Sequence, residues 1–201
     1  MKHRKRLGSF SLRAVWGTPA FFFLTAVFLC GAAAGSLTGL RSAAAQGALV
    51  EELAAAVLRV GEAAAPGALV QDSLLPAVLW PLAVLLCGSF RLHSLFLSAA
   101  VAARGFLFAF AVGAMLGARG VAGIALSAVS CAAGGVLSLP ALLLTAAMAF
   151  QAALERPARR GGYLYALGRY RGLLLVSLGM SVLGGGVRIL AMVLAVRYGL
   201  L

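Results

Sequence analysis

Three cysteines, two histidines and five acidic residues are the side chains of this sequence that could bind a metal, attack a carbonyl or move a proton. Their spacing argues against each of these. Cys30, Cys87 and Cys131 stand far apart, without metal-ligand spacing, each inside an apolar stretch. There a cysteine reads as a small buried apolar residue. His3 and His93 lie at the margins of such stretches. No paired carboxylates, Gly-rich phosphate loop or nucleophile elbow is present. The sequence offers no catalytic residue, cofactor-binding motif or metal site, and the chain is expected not to be an enzyme.

Two arginines are harder to dismiss. Arg104 and Arg188 both sit inside long apolar runs. An arginine at the centre of a membrane helix costs about 2.5–3.5 kcal/mol on insertion scales, so it must face protein, backbone carbonyls or water. No acid lies at matching depth. The expected partners of Arg104 are carbonyls freed around Gly134, Gly135 and Pro140, or the hydroxyls of Ser127, Ser130 and Ser138. A re-entrant hairpin lifting Arg104 to the interface is the alternative. Arg188 is nearer the outer end of its run, where a long side chain can snorkel. The run Gly134-Gly135 to Leu139-Pro140 reads as a helix break. Broken helices hold ligand sites in transporters, although a proline more often only kinks a span.

The elements that position these residues follow from the composition. The chain has 201 residues, 63% hydrophobic and 11% charged, with a mean hydropathy of +1.03. An ordinary soluble domain is about 45–50% apolar and about 25% charged. That excludes a soluble globular domain, a disordered chain and a disulfide scaffold. A helix needs roughly 20 apolar residues to cross the hydrocarbon core. The candidate runs are 16–40, 73–90, 94–116, 121–151 and 172–196. The fold class expected is an all-α polytopic membrane protein of about five transmembrane helices. Six result if Gly134, Gly135 and Pro140 divide the fourth run. The first run, with its basic start and Ala43-Ala44-Ala45, resembles a signal peptide, but it exceeds the usual apolar length of about 7–15 residues.

The net charge of +12 then reads as orientation. With five spans, eleven of the seventeen cations share one side: Lys2, Arg4, Lys5, Arg6, Arg13, Arg91, Arg156, Arg159, Arg160, Arg169 and Arg171. Cytoplasmic loops carry such an excess, so the N-terminus is expected inside and the C-terminus outside. The division is a basic cytoplasmic N-terminus (1–15), helix 1 (16–40), an outer loop (41–72), helices 2–4 (73–154), a basic cytoplasmic loop (155–171), and helix 5 with an outer C-terminus (172–201). The basic residues flank membrane runs without interleaved aromatics, so nucleic acid is not the expected partner. Membrane lipid is, since anionic headgroups attract such patches by about 1 kcal/mol per residue.

The outer loop contains an amphipathic helical pattern. Leu49, Leu53, Val57 and Val60 fall on one side, and Glu51, Glu52, Arg59 and Glu62 on the other. Pro66-Gly67 ends it. The polar residues are candidates for contacting a partner protein outside the membrane. Gly31, Gly35 and Gly39 in the first run, and Gly113 and Gly117 in the third, recur every four residues. Small residues so spaced let helices approach closely in lipid. Packing within one chain is the expected use, with a homo-oligomer as the alternative. Gly184-Gly185-Gly186 reads as packing or a local bend.

Three segments carry a family resemblance. They are Phe21-Phe22-Phe23-Leu24 with Cys30-Gly31-Ala32-Ala33-Ala34-Gly35; Ala103-Arg104-Gly105-Phe106 with Phe110-Ala111-Val112-Gly113; and Ser127-Ala128-Val129-Ser130 with Leu139-Pro140-Ala141. In this order and spacing the chain resembles the stage II sporulation protein M family across nearly its whole length. The resemblance implies a non-catalytic membrane scaffold of endospore-forming bacteria. Such a scaffold holds a peptidoglycan amidase/endopeptidase and a lytic transglycosylase at the septum during forespore engulfment. The chain departs from that pattern at Ala133 and Gly135, where the family tends to carry a proline and a polar residue. It departs again at Arg188, where the family often has an acid.

Overall fold

The computed structural model describes residues 15–42, 66–155 and 162–197. The basic N-terminal segment and the loop carrying Glu51, Glu52, Arg59 and Glu62 lie outside these. Among the described residues all regular structure is helical: α1 (Pro19–Ser42), α2 (Pro66–Cys87), α3 (His93–Arg119), α4 (Val121–Ser127), a π-helical turn (Ala128–Ala132), α5 (Ala133–Leu154), α6 (Gly162–Gly168) and α7 (Arg171–Arg197). Proline opens α1 and α2, where its missing N–H is no loss and its fixed φ suits the first turn.

Four helical segments are long and apolar enough to cross a membrane: Pro19–Arg41, His93–Arg119, Val121–Leu154 and Arg171–Ala195. The apolar part of α2, Ser73–Cys87, is shorter. The fourth segment is a single run of 34 residues. Its irregularity falls at Ala128–Ala132, a turn before the expected break, and the helix continues through Gly134, Gly135 and Pro140. The division of this run into two passes does not occur. The segment expected as a cytoplasmic loop contains the short helix α6.

Side-chain contacts fix the directions. Gly31, Gly35 and Gly39 of α1 face Ala102, Phe106 and Phe110 of α3, so these two helices run parallel. On α7, Ser181 meets Ala77 while Gly185 meets Ser73, and Ser177 meets Thr145 while Gly184 meets Gly134. Both pairings are antiparallel. Since Met115 and Phe108 of α3 meet Ser130 and Gly135, α3 opposes α5 as well. Helices α1, α3 and α7 therefore run one way, and α2 and α5 the other. The parallel trio end in Arg41, Arg119 and Arg197, cations that complement the negative ends of their helix dipoles.

Glycine makes the α1–α3 seam. A Cβ at Gly31 or Gly35 would collide with the carbonyl oxygen of Ala102 or Phe106, and one at Gly39 would lie 2.5 Å from that of Phe110. From the other side, a Cβ at Gly113 would lie 2.8 Å from Ser36 O. Gly31, Gly35, Gly39 and Gly113 thus pack within the chain, while Gly117 is exposed.

Helix α5 is the axis of the bundle. Of the most apolar window in its segment 56% is buried, against 11% for α1. Ala146, Ala147, Met148, Ala149 and Ala152 pack there with Leu24, Val84, Leu97 and Tyr170. A hydroxyl pair, Thr145 Oγ1 and Ser177 Oγ at 2.5 Å, is also buried, with Ala141 O within hydrogen-bond distance of both. Outside, Phe22, Leu86, Val136 and Leu175 are all largely exposed, an apolar exterior suited to hydrocarbon.

Between α3 and α4 the chain reverses at one residue. Gly120 has φ 57° and ψ −127°, and its N–H donates to Leu116 O at 2.9 Å. Nothing lies within 4 Å of a Cβ built there, so the need for glycine is conformational alone. Gly120→Ala should destabilise the protein by about 1–3 kcal/mol, the usual strain of such a backbone. Thermal melting in detergent measures it, and an unchanged midpoint would refute the assignment.

Candidate functional site

The two arginines of the apolar runs share one cavity. Arg104 enters it from α3 and Arg188 from α7. Its volume is about 130 Å3, and the wall includes Ser73, Ser130, Cys131 and Ser138. Helix α3 runs uninterrupted for 27 residues through Arg104, so the re-entrant hairpin does not form. Arg104 lies about 16 Å from the start of α3 and about 22 Å from its end, at about 1.5 Å per residue.

Glycine and the π-helical turn make the space. A Cβ at Gly134 would lie 3.0 Å from Arg188 Cβ, and one at Gly184 would lie 2.8 Å from Gly134 O. Gly135 is crowded by the Phe108 ring, and Gly185 by Leu74. The first two contacts bring α5 and α7 together, and the others seat α5 on α3 and α7 on α2, with no glycine side chain in the void. Gly186 meets nothing. The extra residue of the π-helical turn sets Ser130 and Cys131 against the void, and such turns recur at functional sites.

Of the expected partners of Arg104, Ser130 and Ser138 share its cavity, while Ser127 turns back to Ile124 O at 2.9 Å. Ser130 Oγ is itself committed to Leu126 O at 2.7 Å. Instead of a hydroxyl, the Arg104 guanidinium has the Trp80 ring beneath it, 5.3 Å from the centroid. That is cation–π range. The Arg188 Nε is buried and meets no hydrogen-bond partner. Among the described residues the one ion pair is Arg169–Glu155, at 3.3 Å, away from this cavity.

The cysteines divide. Cys131 lines the cavity, Cys87 packs against the central core, and Cys30 is exposed on the exterior, contrary to the expectation of burial. Among the described residues no group of three His, Cys, Asp or Glu could hold a metal.

A second polar cluster lies at the opposite end. Tyr170 is 1% exposed, and its hydroxyl donates to Gln151 Oε1 at 3.1 Å and Glu155 Oε1 at 3.4 Å. Tyr163 donates to Leu85 O at 2.7 Å, tying α6 to α2. These bonds join helix ends.

Sequence reasoning singled out Arg104 but not the pairing with Arg188 or the Trp80 ring. The signal for Trp80 was present: the short turn 88–92 folds α2 back on α3, so Trp80 and Arg104 fall at comparable depth. Compared with protein-family models, with curated proteins and with solved structures, the chain finds no match in any of the three.

Proposed function

We propose that this protein is a multi-pass scaffold of the bacterial cell membrane, with five spans, its N-terminus inside and its C-terminus outside. It carries out no catalysis itself. Its role is to recruit a peptidoglycan amidase/endopeptidase and a lytic transglycosylase to the septum during forespore engulfment. The observation that carries this reading is the meeting of the three segments that resemble the stage II sporulation protein M family. The first packs on the second along Gly31 and Gly35, and the second and third share the Arg104 cavity. Supporting the fifth span is the parallel course of α1 and α3, which requires the chain to return between them. Helix α2, 22 residues or about 33 Å long, is sufficient for that return.

Deleting the gene in the encoding bacterium should arrest engulfment and disperse the hydrolases from the septum. Normal engulfment in a clean deletion strain would overturn the scaffold role. Photocrosslinking from position 52 or 59 should capture the hydrolase partners.

The cavity itself favours a second reading, a small transporter or channel subunit whose site is bounded by Arg104 and the run Gly134–Pro140. Solute flux in proteoliposomes, lost in Arg104→Ala, would favour it over the scaffold.

A further inference from the structure

The Arg104–Arg188 cavity has a charge problem that neither reading resolves. Two cations within the apolar bundle line one cavity. Each carries the desolvation cost of an intramembrane arginine, about 2.5–3.5 kcal/mol. Among the described residues neither meets a carboxylate, and Arg188 Nε is a buried donor with no acceptor. Buried charges are ordinarily paired. Trp80 offers Arg104 only the face of a ring.

The wall shows what would complete the site. Among the described residues its side chains include two guanidiniums and no carboxylate, with the hydroxyls of Ser73 and Ser138 on the same wall. A volume of about 130 Å3 is several times the about 10–15 Å3 that one water needs. Guanidinium forks match oxyanions with paired N–H bonds, and phosphate is the tetrahedral case. The glycines of α5 and α7 keep the space open between the forks.

We propose that this cavity binds a phosphate-class oxyanion, held between the guanidiniums of Arg104 and Arg188. The anion is either the phosphodiester of a lipid headgroup or free phosphate; the chemistry of recognition is shared. The site depends on the chain spanning a membrane but not on the scaffold role, so normal engulfment in a deletion strain leaves it standing.

The experiment uses the full chain, delipidated in a neutral detergent. One arm adds inorganic phosphate against chloride at equal ionic strength and follows the melting temperature. A second incorporates phosphatidylglycerol and counts retained phospholipid by native mass spectrometry. Stabilisation by phosphate identifies the free anion as a ligand; about one retained phospholipid per chain identifies the headgroup. Either result supports the site. Arg104→Gln and Arg188→Gln should each weaken the response at least tenfold. Without any phosphate Arg188→Gln should melt no lower than wild type, because it removes an unpaired charge. Arg104→Lys and Arg188→Lys keep the charge and should retain weakened binding, which covers a glutamine variant that does not fold. Wild-type protein responding in neither arm overturns the proposal. So does a response that all four variants leave intact. Extraction of the chain from membranes by carbonate would instead refute the spanning premise.

Discussion

Gly35→Ile should yield little or no folded, monodisperse protein from membranes, the largest effect expected of any single substitution here. The reason is geometric. A Cβ at this position would collide with the Phe106 carbonyl oxygen and lie 2.9 Å from its carbon. Those atoms belong to the backbone of α3 and cannot rotate away. Overpacking a core costs about 1–3 kcal/mol where side chains can adjust. Here the helices must separate, so the neighbouring contacts at Gly31, Gly39, Gly105 and Gly113 are loosened together. Gly35→Ala should show a smaller loss of the same kind. Gly186→Ile is the control, because nothing lies within 4 Å of a Cβ there. Size-exclusion profiles and melting temperatures of the three variants decide it. A wild-type profile for Gly35→Ile would mean that the seam does not hold the pair together.

Tyr170→Ala should destabilise the protein by about 3–5 kcal/mol, the range for emptying a buried aromatic site. Tyr170 is among the largest fully buried side chains, and it packs with the central cluster of α5 at the turn into α7. Tyr170→Phe keeps the ring and loses the hydroxyl bonds to Gln151 and Glu155, so it should cost only about 1 kcal/mol. The two variants separate packing from hydrogen bonding. They also carry a pH signature. Burial first, and the negative charge of Glu155 second, push the Tyr170 phenol up to about 12. In the unfolded chain a tyrosine ionises near 10. The fold holds the neutral phenol, so this stabilisation is intact below about pH 10 and is lost as the pH rises toward 12. Melting temperatures measured above pH 9 should therefore fall more steeply for wild type than for Tyr170→Phe. Parallel slopes would contradict the burial of the hydroxyl.

The helices were legible in the sequence because hydrocarbon demands length and apolarity, and little else satisfies both. The apolar runs predicted α1, α3 and α7 to within a few residues. The glycine stripes were legible for the same reason: where lipid removes the hydrophobic drive between helices, close approach is what remains. Their pairing was not. Nothing local tells Gly31 that it will face Ala102 and not a second copy. Nor does spacing alone separate Gly113, which packs, from Gly117, which is exposed. The break expected at Gly134–Pro140 was displaced because proline, tolerated in an apolar span, left the helix continuous, whereas an unremarkable Ala-Val-Ser-Cys-Ala stretch took the wider turn. Arg104 was legible as costly, but its cavity was not. That void exists only where α2, α3, α5 and α7 converge, and convergence is a property of the whole bundle.

The parallel seam of α1 and α3 also sets an order of events during synthesis. Helix α1 leaves the ribosome first, yet the backbone it fits is not made until α3 emerges. At roughly 5–20 residues per second, the stretch from Ser42 to Arg119 takes about 4–15 s to appear. During that interval Gly31, Gly35 and Gly39 face no partner of their own chain, and α2 must already have turned back before α3 can enter alongside. Until α3 arrives that small-residue face stays open within the chain, and its arrival closes it.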